Sequence, residues 1–329
     1  DERRAAASGP TFVAGAGDKL SPHALRGANF SRVDGLAAGW EPPVRALNLL
    51  DPDAEAVQNH ELDYDEDRGV TNFSVLEDAS AASNFPWLAA NVVYDDTRAG
   101  MPGTQNYTVV ERGGVRVGFF GVVDGAINGK TDFVVERNGY RVLDPTTVAQ
   151  RTTDTLREEE HVDVVVALTP IGIDGSQRLA NETEGIDVMI AGDDQRRYPP
   201  RTTDGVVITE TTGTADSIAE VTLTVENGSV TAAEGRLIDV TTNTTRDPEW
   251  AGYIDPIRES YLNVTFGGSE VALDARANVN YHEETTTGNL ITDGARSYAD
   301  ADVGITNAGG IRSGEVYPAG PVTRGEMNS

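Results

Sequence analysis

The stretch AVQNHELDYDED, residues 56–67, places a single histidine between an asparagine and a run of carboxylates. An imidazole titrates near neutral pH, so His60 can pass a proton to a reacting group. Asp63 follows three residues later, where a hydrogen-bonded carboxylate would fix the tautomer of the ring and raise its basicity. The stretch therefore predicts either an acidic surface turn or an acid–base centre with His60 and Asp63 as its catalytic residues.

Three more polar clusters follow apolar runs that predict strands. Asp18 follows TFVAGAG, residues 169–170 follow VDVVVAL, and Asp193 and Gln195 follow IDVMIAG. The carboxyl ends of parallel strands meet at one edge of an α/β sheet. Together with Asn59, these oxygen-bearing side chains predict a site for divalent metal ions. Taken alone, each fits a helix cap, an Asx turn or a solvated loop, and only their joint position favours a site.

The elements that must position these residues alternate between strands and helices up to about residue 240, which predicts a layered α/β domain. The predicted strands cover residues 11–17, 87–94, 162–168, 186–192 and 302–307, with hairpins over 107–123 and within 206–240. The predicted helices cover residues 145–160, 247–262 and 285–299. The part after residue 268 is too short to bury a core of its own, which predicts either a partial second domain in a fragment of a longer chain or a unit that packs entirely on the first domain.

The composition excludes several classes of function. The net charge of −27 repels nucleic acid and anionic membranes, and it predicts a halophilic protein whose self-repulsion is screened by salt. The chain has no run of about 18 apolar residues, so the sequence predicts no transmembrane segment. The chain has no cysteine, which excludes disulfides, thiolate metal sites and cysteine nucleophiles.

The chain also carries seven sites of the type Asn-x-Ser/Thr, the acceptor sequence for N-glycans. They begin at Asn29, Asn72, Asn106, Asn181, Asn227, Asn243 and Asn263. These sites favour a secreted or cell-surface glycoprotein. The opening residues DERRAAASG lack the apolar core of a signal peptide.

Several short motifs occur in a recognisable order: GD, NHELD, VMIAGDDQ, GNLITDGA and NAGGIR. This order resembles the 5′-nucleotidase family of two-domain metallophosphoesterases, in a haloarchaeal type, over nearly the whole chain. The resemblance implies a metallophosphoesterase-like α/β sandwich over residues 1–240, without its first strand. A linker with a connector helix over residues 241–267 and the start of a nucleotide-binding C-terminal α/β domain over residues 268–329 would follow.

The resemblance implies hydrolysis of nucleotides or other small phosphoesters with divalent metal ions such as Mn²⁺, Mg²⁺, Zn²⁺ or Ca²⁺. By its motifs, the implied metal ligands are Asp18, Asn59, Asp193 and Gln195; the catalytic pair is His60 and Asp63; and the substrate-binding residues are Asn307, Gly309, Gly310 and Arg312. The two glycines would let the backbone approach the ligand closely.

Three departures from the family pattern weaken the implied activity. Pro170 and Asp193 stand where the family has metal-binding histidines, and Gln58 stands where it has glycine. Losing even an outer partner of a metal site typically lowers metal affinity about 10–100-fold. Three hypotheses follow: an active hydrolase, a catalytically inactive relative that serves as an envelope or assembly component, and a nucleotide-binding module without hydrolysis.

Overall fold

The structure is a computed structural model that describes residues 2–20, 40–62, 73–95, 97–130, 134–213, 215–311 and 314–328. These residues divide into two compact units. The larger unit is made of residues 2–20 and 40–247, and the smaller unit contains the described residues from Pro248 onward. Across the described ranges, no helix combines the length and the apolar character needed to cross a membrane.

The first sheet of the larger unit has four short parallel strands. They are β1 (Ala14–Gly15), β2 (Ala54–Ala56), β3 (Trp87–Leu88) and β5 (Thr104–Gln105), in the order β1-β2-β3-β5. Two further strands, β4 (Val92–Tyr94) and β8 (Tyr140–Val142), pair antiparallel with each other.

The second sheet of this unit has six strands in the order β11-β12-β10-β9-β7-β6. They are β6 (Tyr107–Arg112), β7 (Val115–Gly121), β9 (Val164–Thr169), β10 (Val188–Ala191), β11 (Tyr198–Thr203) and β12 (Val206–Glu210). The four inner strands are parallel, while β6 and β11 run antiparallel at the edges. A long hairpin, β13 (Ser217–Glu226) and β14 (Ser229–Asp239), completes the unit.

The two sheets pack face to face because their inner side chains form one buried cluster. Leu88 from the first sheet joins Phe119 and Val166 from the second in that cluster. Neighbouring residues point the opposite way, as strand geometry requires: Trp87 faces a cluster with the helices on one side, and Phe120 faces a cluster on the other. The predicted α/β sandwich is therefore present.

Helices cover the outer faces of the sandwich. In the larger unit they are α1 (Glu2–Ala6), α2 (Glu41–Leu50), α3 (Ser74–Ala82), α4 (Ile127–Lys130), α5 (Val134–Arg137), α6 (Pro145–Asp154) and α7 (Gly172–Glu182). The start of α6 follows from its sequence, because Pro145 needs no hydrogen-bonded N–H and the Asp144 side chain accepts from Thr147 N at 2.8 Å. A π-helical turn, Thr155–Glu159, continues this helix.

The smaller unit contains α8 (Pro248–Ile257), α9 (Ala277–Asn280), α10 (Thr286–Ala299) and α11 (Arg324–Asn328), with strands β15 (Thr265–Ser269), β16 (Leu273–Asp274), β17 (Val316–Tyr317) and β18 (Gly320–Thr323). Strands β15 and β18 pair antiparallel, as do β16 and β17. Thr285 begins α10 by accepting a hydrogen bond from Gly288 N at 3.1 Å.

Two predicted strands were wrong in detail. Residues 87–94 form two strands rather than one, because the buried Asn91 side chain interrupts the ladder and donates to the carbonyl oxygens of Val123 and Leu143. Residues 302–307 form no strand within the described chain, and the Val303 and Ile305 side chains are exposed there. The two predicted hairpins and the three predicted helices are present, with shifted ends.

Candidate functional site

Two turns of the larger unit are held together by one buried carboxylate. Glu61 accepts hydrogen bonds from the backbone N–H groups of Asp18 at 3.0 Å, Lys19 at 2.6 Å and Gln58 at 2.7 Å. The first two donors follow β1, and the third follows β2. Glu61 therefore fixes the turn that carries Asp18 against the turn that carries Asn59 and His60.

The pKa of Glu61 is raised to about 7, mainly by burial and also by the neighbouring charge of Asp18, against the opposing effect of the backbone N–H donors. A second buried carboxyl, Glu55, points from β2 towards β1. Burial also raises its pKa to about 7, against the opposing effects of the Lys19 charge and the Gly17 backbone N–H. Gly15 makes room for this carboxyl, since a Cβ there would lie 2.2 Å from Glu55 Oε2.

Asp18 has a left-handed backbone, with φ of 58°. Burial raises the pKa of its carboxyl, and the charge and backbone N–H of His60 act in the opposite direction. Asp18 Oδ1 is buried and has no hydrogen-bond partner among the described residues. A buried, unpaired carboxylate oxygen is costly unless a cation or a donor reaches it.

Asn59 and His60 lie in a short 3₁₀ turn, Asn59–Glu61, that follows β2. The backbone N–H of Asn59 donates to Gln58 Oε1 at 2.7 Å, and its carbonyl accepts from Leu62 N at 2.9 Å. Asn59 is buried, whereas His60 is partly exposed.

Asp193 approaches from the end of β10 in the second sheet. Its backbone has φ of 94°, and a Cβ on the preceding Gly192 would lie 3.0 Å from the Ala16 carbonyl oxygen. A side chain at residue 192 would crowd the end of β1, so glycine favours this close approach of the two strand ends. The Asp193 carboxylate raises the pKa of Asp18, so the two carboxylates lie within electrostatic range of each other.

Two donors already bind the Asp193 carboxylate. Gln58 Nε2 lies 3.3 Å from Asp193 Oδ1, and the same amide donates to the Pro170 carbonyl oxygen at 2.6 Å. The ammonium group of Lys130 forms an ion pair with Asp193 Oδ1. Pro170 therefore contributes only its backbone carbonyl oxygen, which accepts the hydrogen bond from Gln58.

Gln195 lies against Gly213, where a Cβ would meet the Gln195 side chain at 2.8 Å. The loop between Asp193 and Gln195 is supported from behind by Glu210 on β12. Burial raises the pKa of Glu210 to about 8, together with a hydrogen bond that its protonated carboxyl donates to the Asp194 carboxylate and with the Asp194 charge. Asp194 in turn accepts from the backbone N–H of Ile173 at 3.3 Å. The loop is thus anchored by a carboxyl pair that the sequence analysis did not identify.

The two carboxylates of the predicted metal site, Asp18 and Asp193, differ in their partners. Asp18 offers an unpaired buried oxygen, whereas the Asp193 carboxylate is taken by Lys130 and Gln58. Within the described ranges there is no group of three or more His, Cys, Asp or Glu side chains arranged to hold a metal ion. Asp18 Oδ1 is therefore without a partner among the described residues, whereas a cation at Asp193 Oδ1 would have to compete with Lys130 and Gln58.

The predicted substrate-binding residues lie in the smaller unit, after α10. The Asn307 side chain accepts a hydrogen bond from Gly310 N at 2.8 Å and so begins the 3₁₀ turn Ala308–Gly310. Gly309 lies near Tyr281, since a Cβ there would be 3.2 Å from the tyrosine oxygen. The predicted residues Arg312 and Asp63 lie outside the described residues.

The structure places Asp18, Asn59, His60 and Asp193 at neighbouring strand ends, and Glu61 and Lys130, which hold them there, were not predicted. Glu61 follows Gln58 by three residues, the spacing of a capping box, and this signal was available in the sequence. Lys130 gave no local signal, because it reaches Asp193 from a helix 63 residues earlier in the chain.

The fold is an α/β sandwich with polar residues at the ends of its strands, and comparison with known proteins finds similar chains and structures. Residues 265–328 match the family model described as "5'-nucleotidase, C-terminal domain". A solved structure of a 5′-nucleotidase precursor from Thermus thermophilus superposes with a TM-score of 0.75 and 22% identity, covering 99% of this chain and 65% of that one. The resemblance to the 5′-nucleotidase family and the two-domain fold are thus confirmed. The haloarchaeal type stays a prediction.

Two curated relatives are longer than the chain. The trifunctional nucleotide phosphoesterase protein YfkN of Bacillus subtilis (strain 168) is 26% identical over 342 residues, which is 91% of this chain and 22% of the relative. The apyrase of Tabanus yao is 35% identical over 155 residues, which is 46% of this chain and 26% of the relative. The chain thus spans about a quarter of the length of each of these relatives.

Proposed function

We propose that the chain is a metal-dependent phosphoester hydrolase that acts on nucleotides, in the manner of a 5′-nucleotidase. The observation that carries this proposal is the contact between Asp18 and His60 at the ends of two adjacent parallel strands. A buried carboxylate with one unpaired oxygen lies beside a partly exposed imidazole. Asp18 can hold a cation, and His60 can donate a proton, next to the same phosphoryl group.

In this proposal, Asp18 and Asn59 hold the cation, and His60 protonates the leaving oxygen of the substrate. A divalent ion bound there would supply positive charge that polarises a phosphoryl oxygen. Glu61 keeps Asp18 in place through its backbone hydrogen bonds, so it is a positioning residue. Asp63 would orient the imidazole, while Asp193 and Gln195 stay predicted metal ligands.

The nucleoside part of the substrate would bind to the smaller unit. Asn307, Gly309, Gly310 and Arg312 are the proposed contacts. The match of residues 265–328 to the 5′-nucleotidase C-terminal domain supports this assignment. Two adjacent glycines carry no side chain that would block the approach of a flat ligand to this turn.

The test is AMP hydrolysis by the full chain in molar KCl with added Mn²⁺, Mg²⁺ or Zn²⁺. A His60→Asn variant should lose at least about 100-fold in kcat, which is the lower range for removal of a general acid. His161→Asn is the matched control, because His161 is exposed and its φ of 51° suits asparagine. Equal activity of the two variants would contradict the proposed role of His60.

A second candidate is a catalytically inactive relative that acts as a surface, assembly or nucleotide-binding component. The ion pair between Lys130 and Asp193 favours it, because a cation would have to displace an ammonium group there. This candidate predicts that no added metal ion gives AMP hydrolysis, while AMP still protects the protein against thermal unfolding.

We further propose that the chain works at the cell surface or outside the cell and carries N-glycans. The asparagines of all five acceptor sites within the described residues are exposed: Asn106, Asn181, Asn227, Asn243 and Asn263. The mass of the protein purified from its native source, before and after chemical deglycosylation, tests this proposal. An unmodified mass would contradict it.

A further inference from the structure

Lysine is rare in this chain, and both lysines lie beside the candidate site of Asp18, Asn59, His60 and Asp193. Of the 26 lysine and arginine residues, only Lys19 and Lys130 are lysines. Lys19 Nζ donates to the Gly17 carbonyl oxygen at 2.6 Å, and Lys130 Nζ binds Asp193. An ammonium group is a compact point charge, closer to a metal ion in size and charge density than a planar guanidinium is.

We propose that Lys130 is a built-in cation of the site, whose ammonium group competes with a divalent metal ion for the Asp193 carboxylate. The inference rests on the proposed function, because it takes Asp193 as a metal ligand. Asp193 Oδ1 already receives both Lys130 Nζ and Gln58 Nε2. A metal ion bound to the same oxygen would share its lone pairs with these donors, and its positive charge would repel the ammonium group.

The two carboxylates of the site differ in this respect. Asp18 Oδ1 has no hydrogen-bond partner among the described residues, and the nearby Lys19 donates instead to a backbone carbonyl. A cation bound at Asp18 Oδ1 would therefore displace no described side chain from that oxygen. A cation that also engages Asp193 must first release Lys130.

Release of Lys130 is sterically simple. Its side chain is 36% exposed and that of Asp193 is 27% exposed, so the ammonium group can move into water. Lys130 is also the last residue of α4, a four-residue helix at the surface. Partly exposed ion pairs are weak, so Lys130 lowers metal affinity by a moderate factor and does not abolish binding.

The experiment measures Mn²⁺ binding through the electron paramagnetic resonance signal of the free ion, at fixed pH and KCl. Lys130→Met removes the charge and keeps a flexible apolar chain, and we expect it to tighten Mn²⁺ binding by roughly fivefold. Lys130→Arg keeps the charge and should bind Mn²⁺ within about twofold of the native chain. Adding Asp193→Asn to Lys130→Met should abolish the gain.

Arg236→Met controls for the general effect of removing one positive charge, because Arg236 pairs with Glu220 on the β13–β14 hairpin. The inference is wrong if Lys130→Met binds Mn²⁺ no tighter than the native chain, if Arg236→Met tightens binding equally, or if neither the native chain nor Lys130→Met binds Mn²⁺. A second substitution, Lys130→Gln, repeats the measurement if the methionine variant does not fold.

AMP hydrolysis is measured separately on the same proteins. Tighter Mn²⁺ binding by Lys130→Met without hydrolysis in any variant would support the inference and contradict the proposed function. Hydrolysis with unchanged Mn²⁺ affinity would contradict the inference and leave the proposed function standing. The two results are therefore independent.

Discussion

Gln58 Nε2 lies 3.3 Å from Asp193 Oδ1, so a side chain from the end of β2 in the first sheet binds a carboxylate from the end of β10 in the second. The same amide donates to the Pro170 carbonyl oxygen at 2.6 Å, at the end of β9. The 5′-nucleotidase family motif has glycine where this chain has Gln58, and glycine has no side chain to make either contact. Gln58 therefore ties the two halves of the sandwich together at the site.

Replacing Gln58 with alanine should lower the free energy of unfolding by about 2 kcal/mol. The substitution leaves a buried carbonyl of Pro170 without its donor and removes the acceptor of Asn59 N. Urea unfolding at constant KCl concentration measures the change. Gln105→Ala is the control, because Gln105 is exposed at the edge of the first sheet and should change stability by less than about 0.5 kcal/mol.

Glu61→Gln should be destabilising by about 2–3 kcal/mol at pH 8. One amide oxygen cannot replace both carboxylate oxygens, which together receive the backbone N–H groups of Asp18, Lys19, Leu20 and Gln58. Urea unfolding of this variant is compared with that of Glu234→Gln, where the carboxylate is exposed on β14. Equal stability of the two variants would mean that the backbone donors find other partners.

The same substitution should also weaken Mn²⁺ binding, since Asp18 would lose the backbone hydrogen bond that fixes its turn. Loss of a supporting partner of this kind typically lowers metal affinity by about 10–100-fold. Unchanged Mn²⁺ affinity in a folded Glu61→Gln protein would show that the turn holds its shape without Glu61.

The strand-end positions of these polar residues were predictable because the residues come directly after apolar runs. The runs ending before residues 169 and 192 are buried on both faces, so their period and length predicted strands β9 and β10, and their ends predicted the site. The contacts of Lys130 and Glu210 were not predictable in this way. They join positions far apart in the chain, and nothing in their local sequence separates them from the many other charged residues of an acidic surface.

The predicted strand over residues 302–307 failed for a related reason. Its residues have strand-like composition, but a strand also requires a partner, and composition does not reveal one. Conversely, Trp87–Leu88 and Val92–Tyr94 were predicted as one strand because the buried role of Asn91 depends on Val123 and Leu143, which lie far along the chain.

The stability of the larger unit should fall as the pH rises from about 4.5 to about 8. Folding raises the pKa of Glu55 and Glu61 to about 7 and that of Glu210 to about 8, from ordinary values near 4.5. The folded protein therefore binds more protons than the unfolded chain in this interval. The contribution of these groups to stability is fully present below pH 4.5 and is lost as the pH rises through 7 to 8.

Urea unfolding at pH 5.5 and pH 8.5 measures this slope. Glu210→Gln removes one titrating group while keeping a neutral side chain beside Asp194, so its stability should change less between the two pH values than that of the native chain. Glu234→Gln again serves as the exposed control and should keep the native slope. A native slope in Glu210→Gln would assign the pH dependence to other groups.

Salt should stabilise the protein strongly. With a net charge of −27, repulsion between the acidic side chains is strongest in the compact folded state. Raising KCl from about 0.1 M to 1 M shortens the screening length from about 10 Å to about 3 Å. The free energy of unfolding should therefore rise with KCl. Replacing the exposed Glu158 and Glu159 with glutamine should raise stability at low KCl and reduce the dependence on salt. Sucrose of equal osmolarity is the control: it acts by exclusion from the protein surface, so an equal effect of sucrose would contradict a screening mechanism.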